Sequence, residues 1–186
     1  MLKTLRQIAS IGIVTETAPG PDESLRVRDG LQEQIRSVLG RALCIRHVDA
    51  GSCNGCELEI HALNNPIYNL EGLGIRFVAS PRHADLLLVT GPVSRHMAVA
   101  LRRTYEATPE PRLVVALGDC GCTGGIFGES YASCGRVSNV IPVDVAVPGC
   151  PPSPTRILEG ILTAIRSPRT RTSAAAETLD SAGTTA

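Results

Sequence analysis

Two runs in this 186-residue chain, ADLLLVTG (84–91) and PRLVVALG (111–118), are near-continuous Leu, Val and Ile. A strand with one wet face alternates apolar and polar side chains. A strand without that alternation is buried on both faces. Three further stretches read as strands: ALCIRHV (42–48), GIRFVAS (74–80) and VIPVDVAVPG (140–149). Helical stretches lie between them. CELEIHALNN (56–65) stops near Pro66, and a helix capped by Ser94 runs from Arg95 to about Tyr105. Ser153 or Thr155 opens a last helix, TRILEGILTAIR (155–166). The predicted fold class is α/β, a doubly wound parallel sheet covered by helices on both faces.

This regular pattern defines one predicted domain over residues 41–166. Residues 1–40 read as an amphipathic segment (Leu2, Leu5, Ile8 and Ile11, with Lys3 and Arg6 between), a linker TAPGPDES (17–24) and a helix over 25–39. The amphipathic segment fits either a helix packed on its own domain or a docking helix for a membrane-bound partner. Residues 167–186 are small and polar and read as a disordered tail. The apolar stretch Ile8–Val14 is short for a secretory leader, and neither an A-x-A site nor a twin-arginine pair accompanies it. A cytoplasmic location is expected. No apolar run approaches the roughly 18 residues that span a bilayer. The formal net charge is zero and aromatics are 3% of residues, with no tryptophan. A basic nucleic-acid surface and a base-stacking platform are both disfavoured, so no nucleic-acid partner is expected.

The chain has seven cysteines. An odd number in a reducing compartment points to metal or redox chemistry rather than disulfides. Cys53 and Cys56 follow the first strand, Cys120 follows the fourth and Cys150 follows the fifth. In open parallel sheets the carboxyl ends of the strands share one edge, where ligands bind. Three loops rich in Gly or Pro therefore bring four thiols to one rim. Four thiolates suit zinc or an iron–sulfur cluster. Structural zinc usually takes two close pairs, whereas here one close pair joins two single ligands. Single ligands from separate loops better enclose a larger cluster, and the Cys-Pro step at 150–151 resembles the end of a ferredoxin cluster run. The helix start after Asn54 would present amides to an anionic cluster.

The stretches GSCNGCELEI, SPRHADLLLVTGPV, GDCGCTGGIF and PVDVAVPGCPP together resemble the small electron-transfer subunit of [NiFe] hydrogenases and the homologous 20 kDa subunit of respiratory complex I. The resemblance covers about residues 40–165. Complex I subunits carry adjacent cysteines in the first motif. The spaced C-N-G-C-E here is similar to small subunits of membrane-bound, energy-converting hydrogenases, especially that of formate hydrogenlyase. This resemblance implies a flavodoxin-like core and one [4Fe–4S] cluster on Cys53, Cys56, Cys120 and Cys150. It also implies a [NiFe]-hydrogenase-type large subunit at the cluster edge, a ferredoxin-like two-cluster subunit beyond it, and membrane subunits below. The chain would then sit on the inner face of the cell membrane and pass electrons without a substrate site of its own.

Other residues carry weaker signals. Cys122 rivals Cys120, but the family pattern places the ligand four residues before Gly124. Cys44 reads as a core residue, and Cys134 is assigned no role. Glu57 is either a proton-relay or potential-tuning carboxylate, or a first-turn glutamate satisfying the helix dipole. Glu59 and His61 read as a helix-face glutamate and a surface or interface histidine. Arg82, His83 and Asp85 shape a turn before the third strand, or, as the resemblance implies, Arg82 and His83 belong to the cluster's surroundings, a quinone-side surface or a partner contact. Arg95 and His96, at a helix start, are candidates for a partner contact. Two other classes compete: a thioredoxin-like dithiol enzyme using Cys53 and Cys56, and a zinc-stabilised interaction module. The dithiol reading leaves Cys120 and Cys150 unexplained, and neighbouring carboxylates raise a thiol pKa.

Overall fold

Five strands form: β1 (Leu43–Asp49), β2 (Ile75–Phe77), β3 (Leu86–Thr90), β4 (Leu113–Leu117) and β5 (Val145–Val147). All neighbours pair in parallel, in the order β2-β1-β3-β4-β5. This is the flavodoxin-like doubly wound order, and it bears out the expected fold class. The computed structural model describes residues 41–166 and, before them, only Leu2, Lys3, Arg6, Ser10, Glu33, Ile35, Ser37 and Gly40. The remaining positions of the expected N-terminal segment, the linker, the helix over 25–39 and the tail over 167–186 lie outside the described residues.

Helices cover both faces because β3 and β4 are buried along their whole length. Parallel strands also need a crossover to return to the start of the sheet. On one face, Leu43, Ile45, Leu86, Leu88, Val115 and Leu117 pack against α1 (Gly55–Ala62) and α4 (Pro154–Ile165). Ile35 joins this cluster and is buried. On the other face, Val48, Leu87, Val89, Val114 and Ala116 meet Leu101 of α2 (Arg95–Ala107), with Val137 and Ile141. A short helix, α3 (Gly118–Thr123), continues directly from β4.

Element ends follow local hydrogen bonding. Ser94 caps α2 as expected, its hydroxyl accepting the Met97 amide at 3.3 Å. Ser153, not Thr155, precedes α4, because Pro154 occupies the first turn, where a missing N–H costs nothing. α1 stops at Ala62 rather than near Pro66. The amides of Leu63, Asn64 and Asn65 turn back to the carbonyls of Ile60, His61 and Ala62, and Asn65 Oδ1 takes the Ile67 and Tyr68 amides.

The outer strands are shorter than their sequence suggests. β2 pairs only from Ile75 to Phe77, because it has β1 on one side alone and Pro81 opens a 3₁₀ turn soon after. β5 begins after Pro142. Asp144 then exchanges two bonds with Val114: its amide donates to the Val114 carbonyl at 2.9 Å, and its Oδ2 accepts the Val114 amide at 2.8 Å. Asp85 does the same with Cys44 ahead of β3, at 2.8 Å and 2.9 Å. At these amino ends a carboxylate stands in for a ladder partner.

Leu88 is fully buried in the central strand. Leu88→Ala should cost about 2–5 kcal/mol of stability, the range for truncating a core leucine. Denaturant unfolding of the full chain measures it.

Candidate metal centre

Three strand ends deliver the cysteines. At the end of β1, Asp49 Oδ1 accepts the amides of Gly51 and Ser52, both at 2.8 Å. Burial works to raise the Asp49 carboxyl, but those amides outweigh it and hold it below its ordinary range. The turn fixed in this way carries Cys53. Asn54, left-handed at φ 72°, then starts α1, whose first turn holds Cys56 and Glu57. Cys120 lies inside α3 rather than in a loop, a correction to the sequence reading. The six residues of α3 continue β4 without a break, so their helical signal is too short to show in sequence. β5 ends at Val147, and Gly149 and Cys150 follow.

The thiols meet across these turns. A Cβ added at Gly118 would stand 2.7 Å from Cys56 Sγ and 3.4 Å from the Gly149 carbonyl oxygen. A Cβ at Gly125 would stand 2.8 Å from Cys120 Sγ. Both glycines are left-handed, at φ 80° and 57°, which alone costs about 1–2 kcal/mol for a residue with a side chain. Burial first, then Glu57, Cys53, Cys120 and Cys150, pushes the Cys56 thiol up to about 12. Burial, Cys150, Cys53 and Asp119 likewise raise Cys120. Cys53 and Cys150 are exposed, while Cys56 and Cys120 are half-buried. The four sulfurs thus line one open rim. Among the described residues no three His, Cys, Asp or Glu side chains are gathered closely enough to hold a single metal ion.

The other cysteines stay apart from the rim. Cys122 Sγ donates to the Ala116 carbonyl at 3.6 Å, and burial together with Asp119 pushes its thiol up to about 11. Cys44 Sγ faces the Ala42 carbonyl at the amino end of β1, and Cys134 packs on the second core cluster.

Glu57 is not a solvated first-turn residue. It is 8% exposed, and neither carboxylate oxygen has a hydrogen bond. His47 Nε2 stands 3.5 Å from its Oε1 and 3.0 Å from Thr90 Oγ1. Burial lowers the His47 pKa, with Arg46 adding to it, despite Glu57 and Asp49 pulling the other way. Sequence reasoning found Glu57 but missed His47. The available signal was a pair of adjacent polar residues, Arg46 and His47, which breaks the apolar run of ALCIRHV so that one of the two must face a covered side of the sheet.

Arg82 and His83 are exposed on the 3₁₀ turn that enters β3. That turn lies at the amino ends of the strands, opposite the cysteines, so the structure does not bring them to the cluster's surroundings. Asp85 binds Arg41 and Cys44 at the same far end. Arg95 is on the cysteine side, after β3, and its Nε and Nη2 donate to the Ser130 carbonyl at 3.1 Å and 3.0 Å. Glu59 is half-buried on α1, while His61 and His96 are exposed.

Fold and rim define a class, a five-stranded parallel α/β domain with four thiols at the carboxyl edge of its strands. Residues 53–164 match the model of the family described as NADH ubiquinone oxidoreductase, 20 Kd subunit, and the chain belongs to that family. It is 46% identical over 132 residues to a probable membrane-bound hydrogenase subunit of Pyrococcus furiosus, covering 71% of this chain and 79% of that one. It is 40% identical over 144 residues to formate hydrogenlyase subunit 7 of Escherichia coli, covering 77% and 55%. It is 47% identical over 124 residues to an NADH-quinone oxidoreductase subunit of Desulfovibrio desulfuricans, covering 66% of each. A chain in the membrane-bound sulfane sulfur reductase, an archaeal respiratory complex, superposes with a TM-score of 0.61 at 32% identity, covering 81% of this chain and 77% of that one. The relatives are subunits of oxidoreductase complexes, a setting consistent with an electron-transfer subunit.

Two outcomes are expected. Gly118→Ala should lower the melting temperature and crowd Cys56, measurable as slowed thiol alkylation at Cys56 in the metal-free chain. For His47 the folded pKa lies below the ordinary histidine value of 6.5. Its contribution to stability is therefore present above about pH 6.5 and lost as pH falls through the folded value. His47→Gln should flatten the acid limb of melting temperature against pH, and an unchanged limb would show that the imidazole does not titrate there.

Proposed function

We propose that this chain is the electron-transfer subunit of a multi-subunit, membrane-associated oxidoreductase of hydrogenase or formate hydrogenlyase type. Cys53, Cys56, Cys120 and Cys150 would hold one [4Fe–4S] cluster. The observation that carries this reading is the convergence of four thiols from three distant turns on one rim, with glycines where a Cβ would strike two of the sulfurs. When bound, such a cluster supplies one-electron transfer at low cost in rearrangement.

The chain's own residues do the rest. Asp49 and the turn it fixes present Cys53, and α1 presents Cys56; one close pair with two single ligands from separate turns suits a cluster better than zinc. The raised Cys56 thiol argues against a reactive dithiol pair, since the thiolate is the nucleophile. Buried Glu57, next to Cys56, and the part-exposed His47 3.5 Å from it form the candidate route for a proton that accompanies the electron. A large subunit of [NiFe]-hydrogenase type and a ferredoxin-like two-cluster subunit are the proposed redox partners. Membrane subunits would hold the assembly on the inner face of the cell membrane, since no described helix is long and apolar enough to cross it. Arg95 is the proposed partner contact.

A second reading, a quinone-linked complex, is favoured by the 47% identity to the Desulfovibrio protein. The spaced cysteine pair supports the hydrogenase type. Reading the partner large subunit for paired C-x-x-C nickel ligands separates the two.

Anaerobic reconstitution should give about four irons per chain and a visible band bleached by dithionite. Cys150→Ser should abolish or degrade the cluster, and Cys134→Ser should leave it intact. A colourless chain, or equal loss in both variants, overturns the assignment.

A further inference from the structure

The β4–β5 ladder ends at the pair Leu117 and Val147. Beyond it the two segments part, one into α3 and the other towards Pro148. Two bonds rejoin them. The Asp119 amide donates to the Gly149 carbonyl at 2.9 Å, and Asp119 Oδ1 accepts the Gly149 amide at 2.7 Å. Asp119 directly precedes Cys120, and Gly149 directly precedes Cys150. The two bonds therefore tie together the residues from which two rim thiols depart.

We infer that Asp119 is a positioning residue that sets the separation of Cys120 and Cys150 by clamping its own backbone and carboxylate onto Gly149. The inference rests on the reading of these cysteines as cluster ligands. The same two-way exchange joins Asp85 to Cys44 and Asp144 to Val114 at the opposite end of the sheet, where no rim cysteine is involved. The device is thus a general one in this fold, and at Asp119 it has been placed beside the thiols.

The carboxylate is also costly there. Asp119 raises the thiols of both Cys120 and Cys122, so its negative charge opposes ionisation of a ligand. An asparagine could accept the same amide without that charge. Geometry and charge are therefore separable by substitution.

The test uses the full chain, reconstituted anaerobically with ferrous iron and sulfide, as wild type, Asp119→Ala, Asp119→Glu and Asp119→Asn. Three quantities are read: iron loss to a chelator, the cluster's midpoint potential, and hydrogen exchange of the Gly149 amide in the metal-free chain. In Asp119→Ala the Gly149 amide should exchange about tenfold faster or more, as for loss of one charge-assisted hydrogen bond. Iron should be lost faster by a similar factor. Asp119→Glu keeps the charge but misplaces the acceptor, and should behave like Asp119→Ala. Asp119→Asn should hold both rates within about twofold of wild type and raise the midpoint potential, since a nearby negative charge is removed. Should Asp119→Ala fail to fold, the Glu and Asn variants still decide. Iron retention in Asp119→Ala or Asp119→Glu equal to wild type overturns the inference, as does loss from Asp119→Asn as fast as from Asp119→Glu. If wild type binds no iron, the cluster reading fails, while Gly149 exchange still reports whether the clamp exists.

Discussion

Parallel pairing on both sides of β3 commits its neighbours to one direction, and β2 and β5 follow. The buried faces enforce this, because a register slip of one residue would turn the apolar set of β3 or β4 from one cluster to the other. With every strand aligned, the turns after β1, β4 and β5 must emerge at the same edge. Residues about 65 and 95 positions apart in sequence become neighbours with no long-range feature beyond backbone pairing.

The rim is electrostatically unusual for a surface. It gathers four thiols with Glu57 and Asp119, and each acidic neighbour that acts on Cys56 or Cys120 raises it. Full ionisation of such a set without compensation is unfavourable. The cationic core of a bound iron–sulfur cluster would compensate it, and binding would release the protons that the thiols hold. The helix start at Gly55 and the backbone amides of Gly51 and Ser52 offer only partial positive charge, and the latter two are already engaged by Asp49.

Much of this was readable in sequence. LLLVT and LVVAL lack alternation because both faces are covered, so their burial and parallel pairing could be inferred directly. The cysteine positions after strands also followed from that inference. The outer strands were overextended in sequence because β-rich composition continues past the point where pairing ends, as at Ala79 and Ser80, beyond the last cross-strand bond from the Val78 amide to the Ile45 carbonyl. Arg82 and His83 form the expected turn before β3, and only the alternative that put them beside the cysteines fails, because proximity in a motif says nothing about which end of a strand the motif occupies. His47, Thr90 and Asp119 were missed for a different reason. Their roles depend on contacts between elements 30 or more residues apart, which no local spacing encodes.

The carboxylate exchanges have an architectural consequence. Asp144 with Val114 closes the β4–β5 pair at one end, and Asp119 with Gly149 closes it at the other. The two strands form a frame closed at both ends; the excursion between them returns through Val137 and Ile141, buried in the second core cluster, and only its tip stands clear of that packing. Ile126 at 94% and Tyr131 at 95% exposure sit on that excursion. The side chains at that tip can therefore change without moving the frame or the spacing of the thiols it carries.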